Sequence, residues 1–435
     1  LIVLGGLKMA VTHRTIGVAV ETLFGSLNTS TNLPTPAGAY VSIPCEMDPI
    51  LIYGEPVFSE RNDARDGSYF TPPEPDTVYS GSSRVRRRTG QVQLTLDLTT
   101  IGSASNDYNS NYLGYLLGAG FLTRASALTS AAVSSVTDQN NFAVSGLTSS
   151  DVGTLIGCLV DGRADYSAIT EVSGTDVTVS PAFSSGFTGT PTVRGTQTWY
   201  PGSRTVTGDK THSLTFRIDG VNFLSYAYGC VLESLSIALD NGRLMGTFTY
   251  QSACIQDDHG NAVGPIEPVY NTGAPPFFRN SYVVVSSTSP TSLTNASSGD
   301  ALARTELDCE DFTLTVTNTL TPMGTSESIL AMSNYEISTV DVELTLTLST
   351  VNTTVNDDFF NRTVRQVLVG TGPSADGQGC AIMIPSAQLA NDPSAYDVSG
   401  NDIVRQTLTY KQSRFGGDTV ETNAGNSPFR IALGI

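Results

Sequence analysis

The clearest signal in the chain is a two-residue rhythm of apolar and polar positions that returns at intervals along its length. In QVQLTLDLTTI, residues 91–101, Val92, Leu94, Leu96 and Leu98 alternate with Gln93, Thr95, Asp97 and Thr99. Period-two alternation predicts a strand with one face in a core and the other toward water. The rhythm recurs where Leu235, Ile237 and Leu239 alternate with Ser234, Ser236 and Ala238, and it resumes after Asp240-Asn241-Gly242 through Leu244, Phe248 and Tyr250. Asn-Gly between two such runs predicts a tight hairpin. DFTLTVTNTL and YEISTVDVELTLTLST repeat the pattern. In the second, Val340, Val342, Leu344, Leu346 and Leu348 form one face, and Thr339, Asp341, Glu343, Thr345, Thr347 and Ser349 form the other, without a Lys or Arg.

Between these runs the pattern changes. TIGVAVETLF, residues 15–24, predicts a strand or extended arm, followed by a polar loop to Gly38. Residues 54–82 are rich in Pro, Gly and charge with little periodicity, which predicts a long loop. In NSNYLGYLLGAGFLTRA, Leu113, Leu116 and Leu117 fall at helical spacing, so a short helix across a sheet is expected. Residues 131–196 hold FAVSGL, GTLIGCLVDG, SAITEVSG and TDVTVSPAF, short strands separated by Gly turns, and predict an inserted small β-barrel module. The body then spans 9–130 and 197–435. Residues 257–300 are broken by Pro, Asn and Ser, with SYVVVSS as one strand inside. NDDFFNRTV predicts a short helix with an Asn/Asp cap, and TVRQVLVGTG, GCAIMIP, IVRQTLTYKQSRF and FRIALGI predict further strands.

Composition agrees with an all-β chain, since 435 residues with 15% charge and abundant Thr, Ser, Gly and Asn suit short strands joined by turns. Net charge is −18, with lysines only at 8, 210 and 411. Tight nucleic-acid binding needs the opposite balance. An acidic wall that lets nucleic acid pass without adhering fits the charge, as does plain solubility. Cys45, Cys158, Cys230, Cys254, Cys309 and Cys380 show no C-x-x-C pair and read as isolated reduced thiols. Residues 1–8 read as an extension ahead of a start at Met9, and no run of 18 apolar residues predicts a membrane span.

Candidate chemistry is thin. Neither a phosphate-binding Gly-rich loop ending in Gly-Lys nor a G-x-S-x-G elbow occurs. His13, His212 and His259 are far apart, and Cys254, Asp257, Asp258 and His259 read as a solvated loop before a metal site. Glu310-Asp311 and Asp357-Asp358 read as structural before they read as an acid/base pair, because neighbours on a strand point to opposite faces and Asp357-Asp358 sits at an expected helix cap. Arg84, Arg86, Arg87 and Arg88 are the one basic run, read as pairing with acidic residues of a neighbouring subunit. Trp199 is read as seating the insertion on the body. No catalytic residue, cofactor or metal is implied.

Five segments in order, GVAVETLFGSLNTSTNLP, SNYLGYLLGAGF, YGCVLESLSIALDNGRLMGTFTYQ, ISTVDVELTLTLS and NSPFRIALGI, resemble the tail tube proteins of long-tailed bacteriophages. The resemblance covers most of the chain outside 130–200. It implies a β-sandwich or partly closed barrel with a flanking helix, assembled as stacked, hexameric rings around a lumen through which DNA passes on ejection. It also implies partners: further copies of the chain, tail tip or baseplate and tail terminator proteins, and a tape measure protein in the lumen. The location implied is the virion tail, assembled in the host cytoplasm. Residues 9–38 and 54–82 would reach the neighbouring ring. Ring closure has its own physical motive, because open strand edges invite uncontrolled pairing and a ring covers them. The strands at 91–99 and 339–349, with Asp97, Asp341 and Glu343, are the candidate lumen wall. A surface-decorating or receptor-binding phage β-protein is the competing class, and an esterase or glycosidase on a β-sandwich is the third.

Overall fold

The computed structural model describes residues 15–27, 34–45, 50–60, 83–98, 108, 111–126, 128–201, 212–220, 224–258, 281–286, 304–324, 332–352, 355–371, 379–393, 397–399, 403–413 and 427–433. The expectations for residues 1–8, His13, His259 and 61–82 lie outside these residues. The protein is all-β, with antiparallel pairing throughout and two short α-helices among the described residues.

The alternating segments pair with one another. Across the body the order is Ile50–Glu60, Ser83–Asp97, Arg243–Ser252, Leu224–Asp240, Cys309–Gly324, Met332–Leu348 and Ile403–Gln412. Cys380–Leu389 follows and pairs with Val364–Thr371 and Arg430–Leu433 as well. The 17-residue strand Leu224–Asp240 belongs to two layers. Its first half pairs with Leu214–Asp219 and Cys254–Asp258, and its second with Arg243–Ser252 and Cys309–Gly324. The change falls at Gly229, whose φ of 62° is one that L side chains rarely adopt, and at a bulge between Leu232 and Ser234. Thr15–Val20, paired with Leu214–Asp219, completes the second layer. Between the layers lie Leu94, Leu96, Leu235, Phe248, Leu314, Leu344 and Leu346 from one side and Ile16, Val18 and Phe216 from the other.

The Asn-Gly hairpin forms as its sequence requires. Asp240 pairs with Arg243, and Asn241 and Gly242 have φ of 52° and 77°, the left-handed pair of a two-residue turn that follows strand twist. Helix Tyr112–Gly118 is capped by Asn111, whose Oδ1 accepts from Leu113 N at 2.8 Å. It is buried almost all round and is part of the core.

Residues 131–195 make a separate seven-stranded sheet with its own core of Phe142, Ile156, Cys158, Ile169, Val177, Phe183, Phe187 and Val193. Its end strands, Ala131–Ala132 and Ser135–Val136, are neighbours in the chain. The first pairs with Thr192–Gly195 and the second with Asn141–Ala143. Val133 N donates to Pro191 O and Ser134 N to Ala143 O, each at 2.8 Å, so this one segment joins both edges and the sheet closes on itself. The chain enters and leaves through Leu122–Ala125 and Gln197–Tyr200, which pair with each other in the body.

Three expectations need correction. Residues 54–60 are not loop but the second half of strand Ile50–Glu60, paired with 83–88 beyond a bulge that admits Pro56. The second helix, Asn356–Asn361, has Val355 at its N-cap without a side-chain bond, and Asp358 binds Arg365 instead of capping. Trp199, expected to seat the insertion on the body, is not among the side chains that pack the two together. It is buried in the body core, edge-on to Tyr108 at 5.4 Å between ring centroids.

Candidate functional site

Strand pairing carries polar residues into rows across the outer face of the body sheet. One row runs Thr95, Thr247, Ser236, Thr315, Glu343 and Lys411, each directly opposite the next on six successive strands. A second runs Gln93, Thr249, Ser234, Thr317 and Asp341. A third runs Asp97, Met245, Ala238, Thr313, Thr345 and Thr409. Directly opposed residues share a face, so Asp97, Asp341 and Glu343 stand on one surface, with three strands between the first and the other two. At about 4.8 Å per strand that separation is roughly 19 Å.

The face is built largely of hydroxyls. Thr95 and Thr247 Oγ1 lie 3.2 Å apart, Thr345 and Thr409 Oγ1 3.5 Å, and Thr339 Oγ1 donates to Thr319 Oγ1 at 2.9 Å. Branched Thr suits a pleated, half-exposed surface and binds its cross-strand neighbour.

Its charges come in pairs that single-strand patterns hide. Arg243 Nη1 is 3.3 Å from Asp97 Oδ2, Arg405 Nε 2.7 Å from Glu310 Oε2, and Lys411 Nζ 2.9 Å from Glu343 Oε2. The Glu343 hydrogen bond, with Asp341 adding its charge, raises the Lys411 pKa above its ordinary value. Glu233, at the bulge, accepts from Gln91 Nε2 at 2.7 Å, and Asp311 and Asp341 are further carboxylates on the face. The expectation of a face without cations is thus corrected: among the described residues Arg243, Arg405 and Lys411 lie on it, each against a carboxylate. Arg243, Lys411, Arg405 and Glu233 were missed because strand order, not local periodicity, brings them there. The turn at Asn241-Gly242 was the one sequence signal that could have placed Arg243.

Beyond this face the strand Ile50–Glu60 pairs, among the described residues, on one side only. Ile50 and Ile52, opposite Gln93 and Gln91, are each 47% exposed on the same polar surface. The backbone of Arg84–Arg88 belongs to the adjoining strand. The side chains of Arg84, Arg86 and Arg87 lie outside the described residues, and the exposed Arg88 guanidinium rests 4.3 Å from the Tyr53 ring centre.

Two buried polar clusters hold the surrounding architecture. The Glu21 carboxylate accepts from Gly25 N, Gly229 N, Ser213 Oγ and Thr215 Oγ1 at 2.5–2.8 Å, tying the turn after Thr15–Val20 to the Gly229 kink. At the seam between module and body, fully buried Asp165 meets Arg304 at 2.9 Å, while Arg163 and Glu306 pair at 2.7 Å. Arg163 and Arg304 both lie over the Tyr282 ring, at 4.5 and 4.9 Å. A cleft of about 500 Å³, lined by Asp161, Arg163, Ser184, Ser185 and Glu306 among others, opens beside this seam.

Among the described residues no group of three or more His, Cys, Asp or Glu is placed to hold a metal. Burial pushes the Cys45, Cys158, Cys309 and Cys380 thiols up to about 12, and all six cysteines are free. Glu310 pairs with Arg405 and Asp358 with Arg365, so each carboxylate considered for acid/base work is tied to an arginine or, like Asp311 and Asp357, exposed beside one that is. Compared with known proteins, the chain matches no family model and no curated protein.

Proposed function

We propose that the chain is a structural subunit of a phage tail tube, assembling as stacked rings whose polar sheet face lines a channel for DNA. The observation that carries this reading is the face itself. Two strands singled out for the same polar pattern, 91–99 and 339–349, belong to one continuous surface of Thr, Ser, Gln and carboxylates backed by a complete apolar core. Such a wall wets DNA without gripping it, since cations that would bind phosphate already face carboxylates.

The strand Ile50–Glu60, paired on one side among the described residues and with Ile50 and Ile52 exposed, supplies the reason to assemble. An exposed apolar strand edge is covered when a second copy pairs with it, and a closed ring of copies leaves no edge. Tail tip, terminator and tape measure proteins are the further partners this reading entails, in a virion. Negative-stain electron microscopy of the purified protein tests it. Rings or tubes at high concentration support the reading, and discrete monomers or trimers that bind host cells favour a receptor-binding protein instead.

A further inference from the structure

We infer that Asn241 is a site of spontaneous, backbone-assisted deamidation at the rim of the polar face, independent of whether the chain forms tubes. Asn241-Gly242 is the one Asn-Gly pair in the 435 residues. Both residues are exposed at the tip of the hairpin, and a Cβ built at Gly242 would meet no atom within 4 Å. Gly242 is exposed and has no side chain to screen its backbone nitrogen, whereas the residue after every other Asn has one. Asn241 Nδ2 donates to Asp240 Oδ1 at 2.9 Å, which holds the side-chain amide within the turn.

The chemistry needs only water. The Gly242 nitrogen, giving its proton to solvent, bonds to Asn241 Cγ. The Cγ–Nδ2 bond breaks, and ammonia leaves with a proton from solvent. The resulting five-membered imide is opened by water at either carbonyl, giving aspartate or isoaspartate. Both products replace a neutral amide with a carboxylate beside Asp240 and two residues from Arg243 of the Arg243–Asp97 pair. Isoaspartate also routes the backbone through Cβ, lengthening a two-residue turn whose register depends on Asp240 facing Arg243.

The test uses the full chain, held folded in mildly alkaline buffer and sampled over time by proteolytic peptide mapping with mass spectrometry. The peptide spanning Asn241 should gain the mass of an amide-to-acid exchange before any other Asn peptide, with part of the product accepting enzymatic methylation specific for isoaspartate. Asn241→Gly, which keeps a permissive turn, should lose that shift. An Asn241 peptide that stays unmodified, or converts no sooner than the other Asn peptides, overturns the inference.

Discussion

Lys411 Nζ lies 2.9 Å from Glu343 Oε2 across two adjacent strands, at the end of a polar row in which the strands 91–99 and 339–349 promised no cation. The pair is exposed and adds little to folding. Its effect is electrostatic: the one lysine among the described residues is turned onto a carboxylate with Asp341 close behind, so it is a poor anchor for phosphate. The same arrangement holds at Arg243 with Asp97 and Arg405 with Glu310.

Ile50→Lys together with Ile52→Lys should abolish rings or tubes while leaving the fold intact. Both side chains are half-exposed and leave the core untouched, whereas charge on an edge strand opposes pairing with another copy. Size-exclusion chromatography of the variant should give monomer with an unchanged circular dichroism spectrum. Assembly at the normal concentration would show that this edge is not the contact.

The module should be removable. Ala125 faces Gln197, and Ser126 N donates to Thr196 O at 3.1 Å, so the two connecting segments already form the stem of a hairpin. Replacing residues 127–195 by Asn-Gly should close that stem with a two-residue turn. Tyr282, Val284, Leu368 and Met383, which share a cluster with Leu155, Tyr166 and Ala168, would lose their cover at a cost on the order of a few kcal/mol. Thermal unfolding should remain cooperative with a lowered midpoint. A deletion variant that does not fold would make the module part of the core.

Arg304→Met and Arg163→Met should differ sharply although they are neighbours. Removing Arg304 leaves fully buried Asp165 without its arginine and should cost about 3–5 kcal/mol. Removing Arg163 breaks a half-exposed pair with Glu306, worth about 0–1 kcal/mol. Denaturant titration of the two variants measures the difference, and equal losses would contradict the assignment of Asp165 to Arg304.

Glu21 should make stability depend on pH in an unusual direction. Burial raises its carboxyl pKa above the ordinary range, outweighing the four donors that lower it. The folded state therefore holds this proton more tightly than the unfolded chain. The stabilisation is full below the ordinary carboxylate range and is lost as pH rises through the raised folded value. Glu21→Gln should lower overall stability, because the new amide turns a donor toward a backbone N–H, and should remove this component of the pH profile. An identical pH slope in both proteins would assign it elsewhere.

The strands, the hairpin turn and the module were legible in the sequence because each is a local pattern. Leu94 and Leu96 announce a buried face, and Asn241-Gly242 a turn, with no reference to any other segment. What was not legible depends on distant pairing. Nothing near Glu343 reveals Lys411, 68 residues away in the chain, and nothing in GEPVFSE shows that a bulge lets Pro56 continue a strand. Asp358 likewise read as a cap because its local context matches one, while the nearby Arg365 guanidinium claims it across the turn.

Asp341 is the position at which the channel reading is most exposed to test. It faces Thr317 in the middle of the polar surface, is exposed, and takes no part in the apolar core, so Asp341→Lys should leave folding and assembly unchanged. The substitution places an ammonium beside Lys411 and leaves Glu343 as the nearest carboxylate for both, so each subunit gains a cation free to meet phosphate. Repeated in every subunit, that foothold must be released at each step of a passing duplex, and its strength falls with salt because binding releases counterions. Tails carrying Asp341→Lys should therefore form normally and eject DNA more slowly at low ionic strength, with the rate recovering as salt is added. Glu343→Gln should have a smaller effect of the same sign, since it frees Lys411 without adding a charge. Ejection at the ordinary rate in low salt for both variants would mean that this face does not meet the DNA.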